Sequence, residues 1–317
     1  MSELNVIMYH YVRNVSIGRY PKMKALEYDN FKKQLMFLRQ NFRFVTMEEV
    51  IEAYYGGKEL PENAVLLTFD DGYTDSFLYV FPLLKREGIQ GSFFISTEGV
   101  FDRRLMDVNK LQFVLSSVDS SSVVRDVKEM LDYYRSEDPG IPDNETLFGN
   151  QEQENRLDTK DVTMLKELLQ FSLPERIRGE INSRLFEKYV DVSETALASE
   201  LYLNRDQIEC MQKYGMHIGL HGHRHIWLEY ESGESIKKEI NTALDKMDGL
   251  IEKENWTMSY PYGSYNTDLI SYIREKGCRI GFSSDVGRNT VAGEEKYRIL
   301  RYDTIDFPPI GDRYLER

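Results

Sequence analysis

The chain has 317 residues, 41% of them hydrophobic, and its 40 basic against 53 acidic residues give a net charge of −13. That length suits one large α/β domain with an insertion, or two modest domains, and the apolar content suffices for a core without disulfides. Such acidity excludes a chain built to grip phosphate backbones or anionic membrane surfaces, so no nucleic-acid partner is expected.

Residues 1–8 carry no basic region and no long apolar run. No later stretch approaches about 18 uninterrupted apolar residues, so no membrane span is expected and the default location is cytoplasmic. Residues 6–11 form a short apolar run, expected as a buried strand. Phe31, Leu35 and Leu38 recur at helical spacing within 28–41. Thr46-Met47-Glu48-Glu49 fits a capping box, and Gly56-Gly57 closes the helix it starts. Residues 64–69 are a strand, 75–87 a helix stopped by Gly88, and 91–96 the next strand.

The stretch 101–204 breaks this rhythm. It holds helical segments at 123–135 and 162–173, separated by a polar segment at 136–155 read as a loop, and is expected to be a mostly helical insertion that serves as a lid or substrate-binding element. The alternation then resumes: helix 207–214, strand 216–220, a long helix lined by Ile236, Ile240, Leu244, Met247 and Ile251, strand 256–260, helix 269–276 stopped by Gly277, and strand 279–283. Strands alternating with helices imply a parallel sheet covered by helices, closed or open, with its chemistry at the C-terminal ends of the strands. The two cysteines, Cys210 and Cys278, have no metal-type spacing and read as free thiols.

Three segments at strand ends carry chemistry. The first is Thr68-Phe69-Asp70-Asp71-Gly72. Neighbouring side chains diverge there, so one carboxylate can bind a cation while the other stays free as a base; a plain turn with an N-cap is the alternative. The second is His221-Gly222-His223-Arg224-His225. Four of the five histidines lie between 217 and 225, and imidazole is the commonest nitrogen ligand for zinc. His221 and His225 come together if a helical turn follows the strand, whereas His223 and His217 read as bystanders. The third, Ser259-Tyr260-Pro261-Tyr262-Gly263, is a corner that can aim a backbone N–H into a cleft or wall a sugar site with Tyr260, Pro261 and Tyr262; an ordinary turn is the alternative. Asp71, His221 and His225 make a two-His, one-carboxylate set suited to zinc hydrolysis or non-haem iron chemistry. Asp70 beside it favours hydrolysis, which needs a free carboxylate next to an activated water.

These segments resemble the polysaccharide deacetylase family, also called carbohydrate esterase family 4 or NodB-homology proteins. Its Thr-Phe-Asp-Asp-Gly motif stands at 68–72, its His-x-x-x-His motif at 221–225, and its Pro-Tyr-Gly motif at 261–263; Met8-Tyr9-His10 also recurs in many members. The resemblance covers about 1–100 and 205–307 but not the insertion. It implies a distorted (β/α)7-type barrel, formed by 1–100 and 205–317, with 101–204 inserted. Asp70 would be the general base, Asp71, His221 and His225 the ligands of a divalent ion (zinc first, cobalt or nickel otherwise), and the Tyr262 backbone N–H an oxyanion donor.

The sequence departs from the family in two places. Ser259 stands where many members have an arginine, and Arg301, in a segment like the Leu-Pro-Arg of members lacking that arginine, is expected to pair with Asp70. No histidine follows His225, so the late Leu-x-His that supplies the family's general acid is missing; His10 is the candidate replacement, a histidine bonded to a neighbouring loop the plainer reading. The expected activity is metal-dependent removal of an N-acyl group, acetyl first, from a sugar, glycan or carrier-linked precursor. Deformylation, cyclic-amide opening and a non-catalytic carbohydrate-binding homologue are the alternatives. The surface allows a homodimer without demanding one.

Overall fold

Alternating apolar strands and amphipathic helices build one curled, mostly parallel sheet. The computed structural model describes residues 2–149, 158–291 and 295–315. The chain forms two units: Met1–Asn14, Ala25–Arg104 and Ala198–Arg317 make the first, Val15–Lys24 and Leu105–Leu197 the second.

Nine strands make the sheet of the first unit: β1 (Glu3–Tyr9), β2 (Arg43–Phe44), β3 (Ala64–Phe69), β4 (Ser92–Ile95), β5 (His217–Leu220), β6 (Trp256–Ser259), β7 (Cys278–Phe282), β8 (Asn289–Thr290) and β9 (Tyr302–Asp303). They run β8–β1–β3–β4–β5–β6–β7, with β9 also on β1 and β2 also on β3. Only β1 with β8 is antiparallel. Parallel neighbours need crossovers, and the helices Tyr28–Asn41, Phe81–Glu87, Gly233–Lys246 and Thr267–Glu275 supply four of them. Residues 299–303 touch both sides of the sheet: Ile299 bridges Phe282, while Tyr302 and Asp303 pair with Ile7 and Met8. The sheet thereby curls into a distorted (β/α) barrel.

Local chemistry explains where elements begin and end. Thr46 Oγ1 accepts from Glu49 N at 3.2 Å and Glu49 Oε2 accepts from Thr46 N at 2.8 Å, a complete capping box for Met47–Tyr54. Strand β1 starts at Glu3, earlier than its apolar run, because buried Asn5 donates its amide to Ala64 O at 3.2 Å. The helix expected over 75–87 contains a π-turn at Ser76–Val80 before Phe81–Glu87, next to Pro82, whose missing N–H favours such an irregularity. Every residue of β3 is buried, as a central parallel strand requires. Its last residue is clamped from both sides: Tyr9, Phe69 and Phe93 are register neighbours whose rings stack at 4.8 Å each, pairs worth about 0.5–1.5 kcal/mol apiece.

The second unit is helical, built on Asp107–Ser117, Ser120–Tyr134, Lys160–Glu167 with a π-turn at Leu168–Ser172, and Glu175–Tyr189. Val123, Val127, Leu131, Leu165, Ile181 and Leu185 are among its buried positions. The polar segment at 136–155, read as a loop, contains a short helix at Asn144–Gly149, and its residues 150–155 lie outside the described residues. Both cysteines are free thiols. Among the described residues, no helix is long and apolar enough to cross a membrane.

Candidate metal centre and active site

The site forms where β3, β5 and β6 end. Asp70 stays in the ladder through its N–H to Tyr9 O at 2.9 Å. Asp71 and Gly72 then take φ of 75° and 76°, turning the chain so that the two carboxylates diverge. Left-handed conformations are unfavourable for residues with a Cβ. Five described non-glycine residues adopt one, and three of them are Asp71, His225 and Tyr262.

Strand β5 delivers His221, whose N–H donates to Ile95 O at 2.9 Å. A helical turn was expected to bring His225 back beside it. Instead, residues 221–227 form an irregular loop with Gly222 at φ 71° and His225 at φ 56°. Asp71 Oδ1 lies 3.3 Å from His221 Nε2 and 3.3 Å from His225 Nε2. The three residues are 3%, 2% and 9% exposed. Donor atoms about 2.0–2.1 Å from a tetrahedral ion stand about 3.3–3.4 Å apart, so the spacing fits such an ion. Two further observations agree. Asp71 Oδ1 is buried without a hydrogen-bond partner. His221 Nδ1 is 2.7 Å from Ser259 O, an acceptor only, so Nδ1 carries the proton and Nε2 keeps its lone pair for a ligand bond. Burial works to raise the Asp71 carboxyl, but His221, His225 and His10 hold it well below the usual carboxylate range.

Asp70 belongs to a different set of contacts. Arg301, at 1% exposure, grips it with two nitrogens, Nη1 to Oδ1 at 3.0 Å and Nη2 to Oδ2 at 2.8 Å. The guanidinium is itself aimed by Nε to Ser283 O at 2.8 Å and Nη1 to Thr68 Oγ1 at 3.3 Å. Ser259 Oγ donates to Asp70 Oδ2 at 3.0 Å. Burial pushes the Asp70 carboxyl up; Arg301, His221 and His10 outweigh it, and the net shift is downward. The half-buried His10, immediately after β1, thus lies within electrostatic range of both aspartates.

The 260–263 corner divides its residues between core and site. Tyr262 and Gly263 are both left-handed, and Ser284 Oγ donates to Tyr262 O at 3.1 Å. The Tyr262 ring meets His225 edge-on at 4.5 Å and stacks on Trp227 at 4.6 Å and 7°. Tyr260 corrects the sequence reading: it is fully buried, its hydroxyl donates to Tyr297 O at 3.0 Å, and it presents no surface to a sugar. Pro261 is buried as well. An apolar strand end buries the side chain that points inward, and Tyr260 is that side chain. His223 Nδ1 bonds Thr97 Oγ1 at 3.0 Å and His217 Nε2 bonds Thr257 Oγ1 at 2.7 Å; neither belongs to the Asp71 cluster.

Sequence reasoning missed two participants. Ser259, noted in the sequence only as standing in place of an arginine, serves both halves of the site, its hydroxyl on Asp70 and its carbonyl on His221. Trp227 follows the histidine loop with no spacing rule to mark it.

A family model described as polysaccharide deacetylase matches residues 57–129 and 181–281, more than half of the chain. A poly-β-1,6-N-acetyl-D-glucosamine N-deacetylase of Escherichia coli (strain K12) is 47% identical over 55 residues, a match spanning 17% of this chain and 8% of that relative. Among solved structures, the deacetylase PplD of Streptococcus pyogenes in complex with acetate matches with a TM-score of 0.59 at 15% identity, covering 99% of this chain and 96% of the other. IcaB from Ammonifex degensii matches with a TM-score of 0.56 at 18% identity, covering 95% and 91%. At those identities the structural likenesses speak for the fold.

Proposed function

The chain belongs to the polysaccharide deacetylase family, and on that premise we propose that it is a metal-dependent hydrolase removing an N-acetyl group from an N-acetylated amino sugar within a glycan. The observation that carries the reading is the pairing of a partnerless, buried Asp71 Oδ1, 3.3 Å from two imidazole nitrogens, with a second aspartate held apart by arginine. The substrate class is supported by the name of the Escherichia coli relative, an N-deacetylase of poly-β-1,6-N-acetyl-D-glucosamine.

Asp71, His221 and His225 would hold the ion; two nitrogens and one oxygen suit zinc, and also cobalt or nickel. Such an ion supplies Lewis acidity toward the acyl carbonyl and lowers the pKa of water. Asp70 acts as the base. Arg301 and Ser259 occupy three of its roughly four acceptor positions, leaving one to take the proton of the attacking water. The Tyr262 backbone N–H donates to the developing oxyanion from the left-handed corner that Ser284 pins. His10 gives a proton to the departing amine, a role supported by its electrostatic reach to both aspartates. Water and amide become acetate and the sugar amine.

The test is acetate release from N-acetylglucosamine oligomers, free and carrier-linked, with zinc, cobalt or nickel added in turn. Activity should vanish with a chelator and return with metal. Asp70→Asn should abolish turnover while metal binding persists. Substantial turnover by that variant would refute the assignment of the base.

A further inference from the structure

The two imidazoles are held in unequal ways. His221 Nδ1 is oriented by Ser259 O at 2.7 Å, whereas His225 Nδ1 is buried with no hydrogen-bond partner. No hydrogen bond at Nδ1 aims the His225 ring; its backbone does so, with packing against Tyr262 at 4.5 Å and His221 at 5.1 Å. That backbone is an irregular loop with a left-handed residue at His225, a conformation uncommon for a residue with a Cβ.

One side chain grips the loop. Glu239 lies on Gly233–Lys246, on the face that also buries Ile236, Ile240 and Ala243, and is 2% exposed. A carboxylate at an apolar helix position is expensive unless fully bonded. Its Oε1 accepts the N–H groups of His223 at 2.7 Å and Arg224 at 2.6 Å, and Oε2 accepts Arg224 Nε at 3.1 Å. From the other side, Thr97 N–H donates to Gly222 O at 3.1 Å and Glu98 N–H to His223 O at 3.0 Å. Glycine at 222 supplies the left-handed turn, φ 71°, that begins the loop.

We propose that Glu239 is a positioning residue of the metal site, whose carboxylate fixes the backbone of residues 222–225 and so presents His225 Nε2 to the ion. The inference rests on the metal reading of Asp71, His221 and His225. The Glu239 bonds go to the backbone N–H groups of His223 and Arg224 and to the Arg224 side chain, not to the side chains of the three ligands.

The test is zinc and cobalt affinity by chelator competition, on the full chain, for the parent, Glu239→Ala and Glu239→Gln, with the melting of each metal-free protein recorded in parallel. Glu239→Ala should bind metal about 10–100-fold more weakly, the usual loss when an outer support of a metal site is removed. Glu239→Gln should lose less, because its amide oxygen can still accept the two N–H groups. In a double-mutant cycle, Glu239→Ala should add little to His225→Ala, while it should keep its full effect when added to His221→Ala. A folded Glu239→Ala protein with parental metal affinity, or a fully additive cycle with His225→Ala, overturns the inference. Should Glu239→Ala fail to fold, Glu239→Met, which keeps the bulk but accepts neither N–H, takes its place, and parental affinity in that variant overturns the inference equally. A parent that binds neither metal instead removes the metal reading itself.

Discussion

Replacing Arg301 by Met isolates the electrostatic problem at the heart of this site. Arg301 and Asp70 side chains are each 1% exposed, and their contacts at 3.0 and 2.8 Å are the guanidinium's main task. The substitution leaves the Asp70 carboxylate buried with only Ser259 Oγ as donor, and it strips Ser283 O of its Nε–H partner. Removing one partner of a buried ion pair costs about 3–5 kcal/mol, most of it from the charge left behind. That predicts a fall of more than 100-fold in the folding equilibrium, since about 1.4 kcal/mol is tenfold. If the stranded charge is the cause, removing it as well should help: Arg301→Met with Asp70→Leu should recover most of the loss, giving a coupling of at least about 2 kcal/mol. The assay is urea unfolding of the metal-free protein followed by tryptophan fluorescence. Trp227 and Trp256 are the two tryptophans of the chain, and both lie in the barrel unit, so the signal reports that unit separately from the helical one. A single variant within about 1 kcal/mol of the parent, or an additive cycle, would refute the reasoning.

Three further outcomes are expected. Ser259→Ala removes the hydroxyl on Asp70 but keeps the carbonyl on His221, so it should lower kcat about 10–100-fold, the worth of a bond to a charged group, while metal affinity stays parental; a matching loss of metal affinity would contradict this division of labour. Gly263→Ala places a Cβ 2.1 Å from Ser284 Oγ and 2.6 Å from its backbone N at φ 71°, and should destabilise the barrel by at least about 1 kcal/mol in the same urea assay; unchanged stability would mean the corner can relax. In the helical unit, burial works to raise the Asp126 carboxyl but Lys188 and Tyr189, the latter at 2.6 Å, hold it below the usual range. A lowered folded-state pKa adds stability above the unfolded pKa, about 4, and the gain is lost as pH falls through the folded value. Asp126→Asn should therefore be less stable at pH 7, by roughly 1 kcal/mol because Lys188 is half exposed, and the deficit should begin to shrink only as pH falls below about 4; a deficit independent of pH would exclude the ion pair as its source.

The chemistry was legible because it is written in contiguous residues. Asp70-Asp71-Gly72 and His221 to His225 each sit directly after an apolar strand, and a parallel sheet brings such ends to one rim. Strand and helix alternation likewise followed from local periodicity, with boundaries shifting where a polar residue was satisfied inside a run, as Asn5 is by Ala64 O. Local rules failed where a side chain's partner lies far along the chain. They could not say that Tyr260 turns inward to Tyr297 while Tyr262 turns toward His225. They could not say that the histidines meet through a left-handed loop instead of a helical turn.

What the sequence by itself determined was the set of candidate site groups, two carboxylates and two imidazoles at strand ends, and the barrel that gathers them. Tertiary structure decided their protonation and aim, although the family resemblance had already paired Arg301 with Asp70. Arg301 reaches Asp70 across 231 residues, Ser259 reaches it across 189, and Glu239 grips the histidine loop from a separate helix. The physical reason is that a buried charge is stabilised only by neighbours in space, and closure of the sheet, not order along the chain, chooses those neighbours.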